Sequence, residues 1–188
     1  MAFDEDARLA KEVKKGSKDA FAELVEKYQR PIFSFIYNFF REYSICEDIT
    51  QETFLRAYRF IKTYDAKQKF STWLFAIAKN LCIDEKRKRD KAPTVPVDSI
   101  SELKVDYPDR GRANPEEVVM KLDTAETVKS LVSGLPEKYR TAIILFYFNE
   151  LSYEEISEIM GLTMANTKII LFRAKKMMSE MYRARMNK

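Results

Sequence analysis

The chain has 188 residues, 46% of them hydrophobic and 33% charged, and a net charge of only +4. That length suits one large domain or two small ones, and the apolar share is enough to bury a core. No His, two Cys, four Gly and six Pro argue against a zinc site, a disulfide framework and a turn-rich β fold, and favour an all-α protein.

Helical patterning runs from Ala7 to about Arg89. Phe21, Leu24, Val25 and Tyr28 fall at i, i+3, i+4 and i+7, one face of a helix that Ser17 or Asp19 can cap. Pro31 fits the first turn of a new helix, whose stripe is Ile32, Phe35, Ile36 and Phe39. In the segment 46–61, Cys46, Thr50, Thr53, Phe54, Ala57 and Ile61 share a core face. The opposite face carries Asp48, Gln51, Glu52, Leu55, Arg56 and Arg59. Spacing alone leaves Leu55 open, as an ordinary exposed leucine or as the centre of a protein contact.

The next segment, 69–89, has an apolar stripe of Phe70, Trp73, Leu74, Ile77, Ala78 and Leu81. Its other face holds Thr72, Phe75, Lys79, Asn80, Ile83, Lys86 and Arg87. Aromatic, amide and cationic groups together suit unstacked bases: rings stack, amides read edges, and cations hold phosphates. The alternative is that Trp73 and Phe75 are core, and Trp73 can be both core and wedge. Cys46 and Cys82 lie on apolar faces and read as small buried hydrophobes.

Periodicity stops from Lys91 to Asn114, where prolines gather and four acids face one base between Asp98 and Asp109. This reads as an extended linker with an acidic stretch. Asn114-Pro115-Glu116-Glu117 reads as the start of a second helical block. One helix should end near Gly134. Pro136 opens another, buried through Tyr139, Ala142, Ile143 and Phe146. Ser152 and Glu155 make a capping box, Gly161 a left-handed stop, and a long helix starts near Met164.

A short helix, a Gly turn and a longer basic helix is the helix-turn-helix order. On the last helix Thr167, Leu171, Ala174, Met178 and Met181 form the buried stripe. Ile169 lies about 170° from its centre, on the side of Asn166 and Arg173 with Lys168 at the edge, while Ile170 lies only about 70° away. No internal repeat relates the two blocks.

Charge is unevenly spread. Residues 86–91 hold five bases and one acid, residues 168–188 seven bases and one acid, and residues 136–160 two bases and five acids. Two basic patches on a near-neutral chain suggest two contacts with polyanion; the alternative is two solvated helix ends. No Gly-rich phosphate loop or nucleophile–base pair is legible, so no enzyme and no cofactor is expected. The longest apolar run, Ala142–Phe148, is far short of the roughly 20 residues that span a bilayer. The acidic N-terminus lacks an apolar signal core, so the expected place is the cytoplasm.

At these residues the chain resembles the extracytoplasmic-function group of bacterial sigma factors. "EDITQETFLRAY", "FSTWLFAIAKNLCIDEKRKR" and "LPEKYRTAIILFYFNELSYEEISEIMGL" with "TKIILFRAKK" occur in the family's order. The resemblance implies an all-α fold of two small helical domains joined by a flexible linker. These would be a sigma-2-like bundle over 1–90, a linker over 91–114 and a sigma-4-like helix-turn-helix over 115–188. It implies a subunit that brings core RNA polymerase to promoter DNA.

By the same resemblance Asp48, Gln51, Glu52, Leu55, Arg56 and Arg59 contact the clamp helices of the largest polymerase subunit, which answers the question left open at Leu55. The loop Thr63 to Lys69, with Tyr64, Asp65 and Lys67, captures a flipped −10 base. Trp73 and Asn80 serve the −10 strand, and Lys79, Lys86 and Arg87 its phosphates. Arg140, Asn166, Lys168, Ile169, Arg173 and Lys176 serve the −35 element, and the −35-side flap of the polymerase is a further partner.

The family usually has a small polar residue where Ile169 stands and an arginine where Ile170 stands. Ile169 can touch a thymine methyl but cannot donate a hydrogen bond. A lost phosphate contact would flatten the salt slope by about 0.9. The resemblance also implies an anti-sigma factor as partner, which could hold the chain at the membrane without inserting it. The rival reading is a stand-alone helix-turn-helix activator, which leaves Trp73 and the Leu55 face without a role.

Overall fold

The structure, a computed structural model, describes residues 2–91 and 126–186. The expected linker and the expected helix start at Asn114 lie outside the described residues. Helices α1 (Ala2–Lys14), α2 (Lys18–Phe40), α3 (Tyr43–Phe60) and α4 (Phe70–Lys91) pack as one bundle. A second set comprises α5 (126–133), α6 (Glu137–Ile143), α7 (Tyr153–Met160) and α8 (Met164–Met186). Among the described residues no helix is long and apolar enough to cross a membrane.

Ser17 caps α2, accepting from the Ala20 amide at 3.2 Å, and Arg41 ends it in the left-handed region at φ 55°. Pro31 does not open a new helix, contrary to the sequence expectation. It sits inside α2, where its missing N–H leaves the Lys27 carbonyl without its helical donor. The helix continues because Leu24, Ile32, Phe35, Ile36 and Phe39 all lie buried along it. Burying a side chain of that size contributes roughly 1.5–3 kcal/mol, so several together outweigh the roughly 3 kcal/mol cost of an interior proline.

Tertiary packing also corrects α4. Thr72, expected on the open face, is buried, and so is Phe75, for which the core was the alternative reading. Phe75 meets Phe35 edge-on at 5.5 Å. Because α4 touches α1, α2, α3 and α7, the helix is buried over much more than one stripe. The two cysteines are free and buried, and burial pushes the Cys46 thiol up to about 11.

Residues 126–133 end at a turn before Gly134, and α6 then runs into a π-helical turn, Ile144–Phe148. The amides of Asn149 and Leu151 close that turn on the carbonyls of Ile144 and Leu145, and Glu150 reverses the chain at φ 53°. The Ser152–Glu155 capping box starts α7: the Ser152 hydroxyl accepts from the Glu155 amide, and the Glu155 carboxylate accepts from the Ser152 amide at 2.8 Å. Gly161 at φ 65° stops α7. Thr163 then accepts from the Asn166 amide at 3.2 Å and begins α8, whose Thr167, Leu171 and Ala174 are buried against α6 and α7.

Candidate nucleic-acid interface

The faces of α3 follow from its period. Cys46, Thr53, Phe54 and Ala57 are buried, and Thr50 half-buried. Asp48, Gln51, Leu55 and Arg59 are exposed, with Glu52 and Arg56 half-buried and paired at 2.7 Å. Leu55 is 60% exposed. It borders an apolar groove of about 630 Å³ between α2 and α3, lined by Phe21, Val25, Phe54 and Tyr58 among others. A second groove of about 610 Å³ is lined by the charged groups of Asp48, Glu52, Arg56 and Arg87 together with Ile45, Ile49 and Leu81. One helix thus offers an apolar contact flanked by charge of both signs, a composition suited to a protein partner.

The loop after α3 is built around Tyr64. Its side chain is 2% exposed and packs on Phe70 at 5.5 Å and Trp73 at 5.4 Å. The phenol donates to the Gln68 carbonyl at 2.8 Å, which closes the loop on itself. Burial, with the charges of Asp6 and Asp65, pushes that phenol up to about 12. From α1, Lys14 donates to the Tyr64 carbonyl and lies over its ring. Tyr64 therefore shapes the loop from inside, with its ring packed on Phe70 and Trp73. Thr63, Asp65, Lys67 and Lys69 remain on the outside, and Asp65 accepts from the Lys67 amide at 3.0 Å.

Along α4, Trp73 is half-buried, Asn80 and Arg87 are exposed, and Lys79 and Lys86 are half-buried. Arg89, in the same basic run, pairs with Glu42 at 3.1 Å and Glu85 at 3.3 Å. The Lys79 ammonium donates to the Ile159 carbonyl at 3.0 Å, and desolvation lowers its pKa from the ordinary lysine value. The Lys69 ammonium donates to Glu155 at 2.9 Å. Both partners belong to α7.

On α8, Asn166, Lys168, Arg173 and Lys176 are exposed and Ile169 is 46% exposed. Ile170 packs on the core. Phe172, which sequence reasoning did not single out, is 68% exposed. It lies about 60° from Ile169 around the helix, on the same outer side. The signal was present in the spacing, since Phe172 falls about 130° from the centre of the buried stripe, but a phenylalanine in a helix is ordinarily assigned to the core. Lys175 lies 5.3 Å from the Phe146 and Tyr147 ring centroids.

Arg140 is not on this surface. It is 9% exposed, and its guanidinium donates to the carbonyls of Ser133 and Leu135, tying the turn before α6 to the helix. Both bonds come from Nη2, and the buried Nε has no hydrogen-bond partner. Among the described residues no cluster of His, Cys, Asp and Glu is placed to hold a metal.

Comparison with known proteins agrees with this two-part layout. The sigma-70 region 2 profile matches residues 24–92 and the sigma-70 region 4 profile residues 125–178. SigW of Bacillus subtilis, an ECF RNA polymerase sigma factor, is 36% identical over 181 residues, which cover 92% of this chain and 94% of SigW. Two solved structures share the fold. CnrH, in complex with the cytosolic domain of CnrY, superposes with a TM-score of 0.71 at 22% identity, covering 96% of this chain and 98% of that one. RpoE from Bartonella quintana, in complex with the anti-sigma factor NepR, gives 0.67 at 21% identity, covering 89% and 98%. On the strength of the SigW match along nearly its whole length, the chain belongs to the extracytoplasmic-function sigma factors, the non-catalytic subunits that direct RNA polymerase to promoters.

Proposed function

We propose that the chain joins core polymerase through α3 and reads the two promoter elements with its two helical sets. Leu55 inserts into the clamp helices while Asp48, Gln51, Glu52, Arg56 and Arg59 pair around it. The outer residues of the 63–69 loop, with Trp73 and Asn80, hold unstacked −10 bases, and Lys69, Lys79, Lys86 and Arg87 hold the strand's phosphates. Asn166, Lys168, Ile169, Arg173 and Lys176 enter the −35 major groove, with Phe172 beside them. Arg140 and the Tyr64 ring take no direct part. The observation that carries the reading is Leu55, an exposed apolar side chain set in a charged helical face beside an apolar groove. A photoreactive amino acid at position 55 tests it. It should join covalently to the largest polymerase subunit in the holoenzyme; joining to promoter DNA instead would overturn the assignment.

A second proposal concerns control. Ile169 and Phe172 leave an apolar patch on a helix that otherwise reads a polyanion. A protein inhibitor that covers this patch gains apolar burial that DNA cannot fully supply. The likeness in fold to RpoE, solved with an anti-sigma factor, supports such a partner. In this reading the chain works in the cytoplasm, at the nucleoid, and is held near the membrane only where its inhibitor is.

A further inference from the structure

The two helical sets are in contact, and the contact falls on the strand-holding groups. Lys69 reaches Glu155 at 2.9 Å, and Lys79 reaches the Ile159 carbonyl in the last turn of α7 at 3.0 Å. Asn149, just before α7, donates to the Pro31 carbonyl of α2 at 3.3 Å. A carboxylate and the negative end of a helix dipole are both oxygen acceptors of the kind a phosphate offers to lysine. The Glu155 carboxylate is largely buried at this seam, while Lys69 remains half in solvent.

We propose that α7 serves in the free chain as an internal stand-in for the phosphates of the unpaired promoter strand. The strand and α7 then compete for the same two ammonium groups. Promoter melting requires α7 to leave α4, and a free chain binds single strands poorly because its own helix-turn-helix occupies the site. This rests on the reading of Lys69 and Lys79 as strand-holding residues. The Lys69–Glu155 pair is partly exposed, and such pairs are readily displaced.

Zero-length carbodiimide coupling of the full chain, followed by peptide mapping, tests the seam, because it joins a lysine and a carboxylate only when they touch. Lys69 and Glu155 should couple in the free chain. The exposed Lys15–Glu12 pair at the C-terminal end of α1, at 3.1 Å, serves as the control. Saturating the chain with short single-stranded DNA of mixed sequence, followed by fluorescence anisotropy, should suppress the Lys69–Glu155 product and spare the control.

Glu155→Gln keeps the capping box and removes the charge. It should bind the same DNA more tightly, by up to about fivefold, the size of a partly exposed ion pair. A control product without a Lys69–Glu155 product would overturn the seam. Bound DNA that leaves the Lys69–Glu155 product unchanged would overturn the competition while the seam stands, as would no gain in affinity for Glu155→Gln. If Lys69→Met and Lys79→Met do not weaken DNA binding by the Glu155→Gln chain, the strand-holding reading fails first and the proposal falls with it.

Discussion

Ile169 and Ile170 are neighbours in the chain and face different ways: Ile169 stands 46% exposed on the outer side of α8, and Ile170 packs against the core. The divergence follows from the helix period, which turns each residue about 100° from the last. The two substitutions therefore separate cleanly. Ile169→Ser should change stability by no more than about 0.5 kcal/mol, as at other surface positions, and Ile170→Ser by about 1–3 kcal/mol. In transcription from a library of randomised −35 elements, Ile169→Ser should shift the preferred base at one position. Unchanged promoter preference with weakened inhibition would leave only the masking role.

Leu55 should behave as an interface residue without a structural duty. Leu55→Ala is expected to leave the melting temperature almost unchanged and to weaken competition for core polymerase by about 30-fold, the roughly 2 kcal/mol of a hot-spot side chain. A protein that competes normally for core would remove Leu55 from the contact.

Arg140 makes the opposite case. Arg140→Met removes donors from the Ser133 and Leu135 carbonyls and should destabilise the fold by about 1–3 kcal/mol. The salt dependence of −35 binding should stay the same. A slope shallower by about 0.9 would mean that the guanidinium meets a phosphate after all.

Tyr64 holds its loop through a bond that Phe cannot make. Tyr64→Phe loses the phenol's donation to Gln68, a loss of about 1 kcal/mol. Open-complex formation should slow, while duplex binding at the −35 element stays unchanged. With the phenol pushed up to about 12, wild-type loop closure should not vary between pH 7 and about 10.

Glu155 gives the fold an acid-sensitive joint. Burial pushes its carboxyl up, but the Ser152 amide and Lys69 together hold it below its ordinary value of 4.5. A depressed carboxyl contributes stability above its unfolded pKa and loses it as pH falls through the folded one. The difference in melting temperature between wild type and Glu155→Gln should therefore be constant near neutrality and shrink below pH 4.5. A difference that persists unchanged well below that pH would show that charge plays no part at the joint.

Much of this protein is legible along one dimension. The Ser152–Glu155 box, the Gly161 stop, the buried stripe of α8 and the two faces of α3 each follow from spacings within a few residues, where helix geometry links position to direction. The charge pattern and the exposed Leu55 then suffice to suggest polyanion and protein contacts. Pro31, Phe75, Tyr64 and Arg140 were not legible in this way. Local rules send Pro31 to a helix start, leave Phe75 open between an outer face and the core, and say nothing of where the Tyr64 and Arg140 side chains lie. What overrides those rules is burial against groups distant in the chain: a continuous stripe under α2, Phe35 against Phe75, the ring of Phe70 against Tyr64, and backbone carbonyls around Arg140. The same holds for Lys69 and Lys79. The sequence by itself determined that they are cations in the loop after α3 and on α4; only the tertiary structure decided that α7 meets them, through acceptors 86 and 80 residues further along, because a lysine's partner is set by which acceptor folding brings within reach and not by its place in a pattern.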